Sequence, residues 1–551
     1  MRFFRRNSYR TFLLFFLYMT AFLVNNGVFP TNGQEARTLV AAREIVNGGS
    51  WSVPTINGEL AIDKPPLAIW VAASIETVSP GNVSFHRTAT GLMGIVWALA
   101  FFGIARYMYR RKYFAEIATI IFITCYNVIY MGRMVNRDIY GYALMMAAIY
   151  FILRMLYDDR YYDNPHKWRW AALAGVMMGL SELGNGSVAF ISMLLPAMIA
   201  MIVFKRPKMK GKWLPLGMML LIAVVVFGWW YLYMWINHPS TLAMVVRSEI
   251  ANWLAPSKYP WFYYWRFFAE MGVWCILVLA ALLIPYWKKH MQVKGQYFIA
   301  ITWLLLALLL LSVMPNKGMI RLLPLAPPCS LVVALVLAHF HENWPSDAFG
   351  KKLFYFNGFA VALSLLLLPI IIHFRVVNRG FLDFGTGIFV TVLFIILFLF
   401  IVVSVRHHEV IQMVWGIGVL FMVMECFMID SIGKVFSNSH KNSICAVQGM
   451  KELNGMTFYH PVTDTLRAEV VYGVNQRIDA IDMTDEQMVI DALPCVVVTQ
   501  KPLAEELSPS LLQQIDTVRI GIYDDNNLPR RSRLYNSKLI NQVSILRAKP
   551  D

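Results

Sequence analysis

Between its first two long apolar runs the chain carries a polar stretch, residues 29–84, that holds the densest set of side chains able to act on a substrate: Gln34, Glu35, Arg37, Asp63 and Lys64. Asn32-Gly33 is a turn signal, and the spacing after it predicts a helix over 34–46. On that helix Glu35, Leu39, Ala42 and Val46 share one face, with Arg37 and Glu44 roughly opposite. A carboxylate at the head of an apolar stripe is partly desolvated, which suits a general base. The same residue in a first helical turn also complements the helix dipole, and the pattern leaves both readings open. Further on, Asp63-Lys64 precede Pro65-Pro66 and an apolar run from Leu67. Proline suits the first turn of a helix, so Lys64 stands just ahead of a helix N-terminus. There a lysine and exposed amides together can bind a lipid phosphate. A lysine snorkelling at a membrane surface is the plain alternative.

Two more clusters carry charge where a lipid-embedded chain has reason to avoid it. In Arg133-Met134-Val135-Asn136-Arg137-Asp138 the two arginines stand one helical turn apart with an aspartate adjoining. That arrangement fits either a structural salt bridge or a site where charges must be oriented. Lys317 and Arg321 lie after Ser312-Val313-Met314-Pro315-Asn316, at a span boundary that is otherwise poor in cations. The run Pro260-Trp261-Phe262-Tyr263-Tyr264-Trp265 reads as an interfacial aromatic belt, or as the lining of a groove for an isoprenoid chain.

The elements that must hold these residues are membrane spans. Hydrophobic residues make up 58% of the 551 and charged ones only 15%, so lipid has to be part of the solvent. The net charge of +16 comes as short basic clusters between apolar runs, such as Lys205-Arg206-Pro207-Lys208. That placement points to topology and anionic headgroups rather than nucleic acid. The first run, near 11–28, follows Arg2, Arg5, Arg6 and Arg10 with no small-residue cleavage site, and reads as an uncleaved span. Further runs near 85–108, 113–132, 138–156, 168–184, 187–204, 214–236, 264–286, 296–314, 318–340, 353–373, 382–404 and 411–430 bring the expectation to about thirteen spans of some twenty residues each.

Arg110-Arg111-Lys112, the 154–170 loop, the 205–212 cluster, Lys288-Lys289 and Lys351-Lys352 then share one side with the N-terminus, the cytoplasmic one by the positive-inside rule. An odd span count places the tail, 434–551, outside. That tail changes character. Short β-like runs at 457–459, 469–474, 495–499, 518–523 and 543–546 and a helix near 504–515 suggest a small α/β domain, after a transmembrane domain over 1–433. Of six cysteines none forms a CxxC pair, and Cys445 with Cys495 are the two that could join in an extracytoplasmic tail.

The stretches E-A-R-T-L-V-A-A-R-E-I-V, W-S-V-P-T-I-N-G-E-L and D-K-P-P-L together resemble the first outer loop of bacterial lipid A aminoarabinose transferases and protein O-mannosyltransferase-like enzymes of the GT-C superfamily. The likeness extends to G-R-M-V-N-R-D, G-L-S-E-L-G-N-G and P-N-K-G-M-I-R-L-L-P. It implies a GT-C fold and an inverting transfer of a sugar from polyprenyl phosphate to lipid A, another envelope glycolipid or a protein hydroxyl, at the outer face of a bacterial inner membrane. By position it implies Glu35 with Asp138 as acid/base groups, and Arg37, Lys64, Lys317, Arg321 and Arg133 around the donor phosphate. Asp63, Gln34 and Asn185 support the site.

The chain also departs from the family pattern. Gln34 replaces the first acid of an Asp-Glu pair, and Asn185 stands where many relatives have lysine. Asn252 and Ser257 replace an arginine and a metal-associated histidine, and Arg321 replaces a tyrosine. No metal ligand is assigned, although a divalent ion stays compatible with the family's chemistry. A lipid-linked sugar flippase is the rival of another class. Transporters, however, gather ionisable groups near the midplane, whereas these gather at outer span ends.

Overall fold

The structure, a computed structural model, describes residues 7–61, 64–158, 164–254, 256–257, 259–315, 317–345, 347–436, 442–526 and 535–549. Among them the apolar runs are helical. Eight helices are long and apolar enough to cross a membrane: Val83–Met108, Arg137–Tyr157, Trp213–Asn237, Lys294–Val313, Ile320–Glu342, Ala348–Val377, Phe384–Arg406 and Val410–Val435. Two further helix pairs reach spanning length only when taken together, and each is bent at a break. Lys112–Ile123 turns by 67° into Tyr126–Gly132, and Phe267–Ala281 by 77° into Ile284–His290. Among the described residues this makes eight to ten spans rather than about thirteen: the other expected runs form the shorter apolar helices Tyr9–Phe22 and Phe190–Phe204 and the more polar Lys167–Asn185, which carries Arg169 and Glu182. The chain is a multi-pass membrane protein.

It folds into two compact units. The first comprises Met1–Gly27, Ile62–Ala68 and Val83–Ile429. At its centre the Arg137–Tyr157 helix is buried on nearly every side and packs against Lys167–Asn185 and Val83–Met108. The outward faces of Trp213–Asn237 and Phe384–Arg406 stay apolar, with Leu214, Leu221, Ile396 and Leu399 exposed, as lipid-facing helices require. In the aromatic run, Trp261 is 77% exposed while Tyr264 is buried.

The second unit comprises Val28–Ala61, Ile69–Asn82 and Asp430–Asp551. Its hairpin, β1 (Thr55–Ile56) and β2 (Glu59–Leu60), turns at Asn57-Gly58, both with positive φ of 58° and 78°. A five-stranded mixed sheet follows: β3 (Thr457–Pro461), β4 (Ile478–Ile481), β5 (Cys495–Thr499), β6 (Ile515–Asp524) and β7 (Ile540–Ala548), in the order β4-β3-β5-β7-β6. β3 pairs in parallel with β4 and β5, whereas β7 runs antiparallel to β5 and β6.

The predicted strand at 469–474 is instead the helix Ala468–Val474. Its β-branched valines bury Val470, Val471 and Val474 in a cluster with Val40, so one-sided helical burial overrides local β propensity. The helix expected near 504–515 divides into Leu503–Glu506 and Pro509–Gln514, because Pro509 starts a new first turn and Ile515 already belongs to β6. Cys445 and Cys495 are both free, one exposed and the other buried within β5, so they do not form the disulfide considered above.

Asn57 fastens the hairpin to the sheet. Its Nδ2 donates to the Ile478 carbonyl at 2.7 Å, and the Ile478 N–H donates to its Oδ1 at 2.8 Å. Asn57→Ala loses both bonds and places a β-carbon residue without amide compensation in the left-handed region, a combined cost of about 2–3 kcal/mol. A lower melting temperature of the detergent-solubilised chain, with partial recovery in Asn57→Gly, checks this. Equal melting of wild type and Asn57→Ala contradicts it.

Candidate active site

Three elements of the first unit converge on one lysine. Lys64 stands just ahead of the Leu67–Val78 helix. Its Nζ donates to Asp138 Oδ1 at 3.2 Å and to Asn185 Oδ1. Asp138 is fixed in the first turn of the Arg137–Tyr157 helix by the cap residue Asn136, whose Oδ1 accepts from the Asp138 N–H at 2.8 Å. At that end the helix dipole also favours the carboxylate.

Asn185 is the last residue of Lys167–Asn185, followed by Gly186 at φ 68°. The two helices cross in close contact at Gly141, where a β-carbon would lie 2.4 Å from Asn185 Cβ, and Ser181 Oγ donates to the Gly141 carbonyl at 2.7 Å. Gly141→Ala must therefore push the helices apart or displace Asn185. An overpacking cost of about 1–3 kcal/mol is expected, read as a drop in melting temperature. Wild-type melting would mean that the crossing is looser than this geometry.

Sequence spacing had grouped Arg133, Arg137 and Asp138. In space Arg133 belongs elsewhere. Its buried guanidinium donates to the carbonyls of Thr20 and Val24 and lies 4.0 Å from Glu425, so it ties the first span to the last. Lys317 is 8% exposed and donates to the carbonyls of Pro260 at 2.9 Å and Tyr259 at 3.3 Å. Next to it Tyr264 Oη accepts from the Gly318 N–H at 3.1 Å. Burial lifts the Tyr264 phenol above the ordinary tyrosine range against the opposing charge of Arg321, so it stays a neutral donor at physiological pH. Arg321, half-buried, is within electrostatic reach of Tyr142 as well. Tyr142 was missed by sequence reasoning, and Tyr264 was read only as part of the aromatic run 260–265. A signal existed for Tyr142, which follows Asp138 by one helical turn and so shares its face.

In the second unit, Glu35 is 1% exposed in the first turn of Gly33–Val46. It closes a capping box: Asn32 Oδ1 accepts from the Glu35 N–H at 3.0 Å, and the Asn32 N–H donates to Glu35 Oε2 at 3.3 Å. Leu39 and Ala42 are buried on the same stripe, but Val46 is exposed at the helix end. Gln34 and Arg37 are exposed. Glu44, expected opposite Glu35, holds the β1–β2 turn through Thr55 and the Asn57 N–H. Asp63 lies outside the described residues. Among the described residues no three His, Cys, Asp or Glu side chains gather as a metal-ligand set.

Residues 63–231 match the dolichyl-phosphate-mannose-protein mannosyltransferase family. Over 333 residues the chain is 23% identical to the undecaprenyl phosphate-alpha-4-amino-4-deoxy-L-arabinose arabinosyl transferase of Shewanella sediminis, covering 56% of each chain. Against the enzyme of the same name from Pectobacterium atrosepticum it is 24% identical over 415 residues, 71% of this chain and 69% of that one. The chain thus spans little more than half the length of the first of these relatives. Among solved structures, ArnT from Cupriavidus metallidurans bound to undecaprenyl phosphate superposes with a TM-score of 0.67 at 14% identity, over 98% of both chains. The chain has the fold of the GT-C integral-membrane glycosyltransferases, and the members it resembles are the aminoarabinose and protein-mannosyl transferases.

Proposed function

We propose that the chain is an inverting glycosyltransferase that moves a sugar from undecaprenyl phosphate to lipid A or another envelope glycolipid, at the periplasmic face of a bacterial inner membrane. The observation that carries this reading is Lys64, a largely buried cation held at a helix start by Asp138 and Asn185. A lysine so held is oriented before substrate arrives, and a phosphate can replace the neutral amide as its second partner. In the reaction an acceptor hydroxyl attacks the anomeric carbon while the bond from that carbon to the phosphate oxygen breaks. The electron pair leaves with the phosphate, and the hydroxyl proton passes to a carboxylate.

Lys64, with Arg37, Lys317 and Arg321 as further proposed cations, stabilises the departing phosphate, whereas Arg133, held on the Thr20 and Val24 carbonyls, is withdrawn from that set. Glu35 takes the proton, and Asp138 assists by holding Lys64. Gln34 and Asp63 support this set, and the sugar-bearing substrate enters from the outer leaflet, the side assigned to the tail domain as well. The family description for residues 63–231 favours one second reading, the same donor chemistry with a protein hydroxyl as acceptor.

Mass spectrometry of lipid A and of envelope proteins from cells with and without the chain separates the two readings. A glycosidic mass increment on lipid A that disappears with the chain supports the first, and an increment confined to protein supports the second. Unchanged spectra in both pools overturn the transferase proposal.

A further inference from the structure

At the other end of the Arg137–Tyr157 helix, some 24 Å along its axis from Asp138, the same unit holds a lateral cavity that the proposed transfer does not use. It has a volume of about 910 Å³ and opens between Val83–Met108 and Arg137–Tyr157. One end is apolar, lined by Val96, Leu99, Ala100 and Phe102. The other carries Arg106, Arg110 and Arg154. A second cavity of about 560 Å³ shares Tyr107 and Arg110 and adds Lys205.

The charges at the polar end are poorly balanced. Arg154 pairs with Asp158 at 2.9 Å and donates to Tyr150 Oη at 3.3 Å, but its buried Nε has no hydrogen-bond partner among the described residues. Arg106, Arg110 and Lys205 have no carboxylate within 4.0 Å among those residues, and only Arg106 has one within electrostatic reach, Glu116, which is itself paired with Arg10. Lys205 sits over the rings of Tyr107 and Tyr157 at 5.4 and 5.3 Å. Partial desolvation against those rings, and then the like charge of Arg110, hold Lys205 below the ordinary lysine range although the residue stays exposed at the cavity mouth. Cations crowded against aromatic rings at the mouth of an apolar channel are relieved by an anion that brings its own hydrocarbon.

We infer that this cavity, with the second one that meets it at Tyr107 and Arg110, binds one anionic phospholipid of the surrounding leaflet, its phosphodiester between Arg106, Arg110 and Lys205 and an acyl chain along the groove from Arg106 to Val96. The charge pattern assigns this end to the cytoplasmic side, and basic pockets between spans there suit phosphate headgroups. The groove between those two residues is about 15 Å long, which takes much of one acyl chain. A zwitterionic lipid offers the same phosphate together with a competing ammonium, so selectivity for net negative charge is the signature of the site. A free phosphate gains nothing from the apolar half. Polyprenyl phosphate, with its branched chain, fits the proposed outer site instead.

The test is native mass spectrometry of the full chain in detergent, titrated with phosphatidylglycerol, phosphatidylethanolamine, undecaprenyl phosphate and inorganic phosphate. Phosphatidylglycerol should bind about ten-fold more tightly than phosphatidylethanolamine. Arg106→Gln with Arg110→Gln should remove that preference, and Lys64→Ala should leave it intact. Should the double variant not fold, Leu99→Trp decides: it keeps every cation, fills the apolar end and should weaken phosphatidylglycerol by a similar factor. Equal affinity for the two phospholipids overturns the inference. So does tighter capture of undecaprenyl phosphate by the Lys64→Ala chain, or displacement of phosphatidylglycerol by inorganic phosphate alone.

Discussion

Lys64→Ala lowers turnover of an undecaprenyl-phosphate sugar by about 10²–10³-fold, the usual consequence of removing one preorganised group from a developing charge, and weakens donor binding with it. The expectation follows from the pairing of Lys64 with Asp138 and Asn185, which fixes the ammonium group before any phosphate is present. Loss of the lysine also strands a largely buried carboxylate, and breaking such a pair costs about 3–5 kcal/mol of stability. The two effects are separable. Lys64→Met combined with Asp138→Asn removes both charges and should recover most of the melting temperature without recovering turnover. If turnover returns with stability, Lys64 is a structural ion-pair partner and the proposed phosphate role is wrong. Steady-state kinetics with labelled donor, alongside melting curves, read both quantities.

Glu35→Gln abolishes turnover, a loss of about 10²–10⁴-fold for a missing acid/base group, while undecaprenyl phosphate still binds. Glutamine is the informative substitution here. At the third helical position it can still accept from the Asn32 N–H, so the capping box and the first turn of Gly33–Val46 persist. Asn32→Ala is the reciprocal control: it removes the side-chain cap, at about 0.5–2 kcal/mol, but leaves the carboxylate. A chain that loses activity equally in both variants uses Glu35 to build the helix. One that loses activity only in Glu35→Gln uses it for chemistry. Loss of donor binding with retained chemistry contradicts the assigned role outright.

Much of the candidate site was legible before any fold was known, because its residues sit at positions with local meaning. Asn32 and Glu35 form a capping pair three residues apart, and Pro65-Pro66 announce the helix behind Lys64. Candidate residues could be named from local pattern, but which of them meet could not. Asp138 adjoins Arg137 in sequence and stands one helical turn and a residue from Arg133, yet its partner is Lys64, 74 positions away. Arg133 turns to Thr20, Val24 and Glu425 instead. Tyr142 drew no notice as one tyrosine among 25, and gains a place only because the helix that carries Asp138 also carries it.

Sequence alone determined that lipid is part of this protein's solvent, where the apolar runs lie, and that a charged loop over 29–84 and an α/β tail differ from them in character. Composition and short-range periodicity carry that information, since hydration and backbone geometry act over a few residues. Tertiary structure alone decided which charges meet, that 469–474 is a buried helix rather than a strand, and that Asn57 is bonded to an edge strand 421 positions away. Those outcomes depend on how closely two helices can cross at Gly141 and on which face of a valine-rich segment finds an apolar partner. Such distances are set by packing between segments far apart in the chain, and no local pattern encodes them.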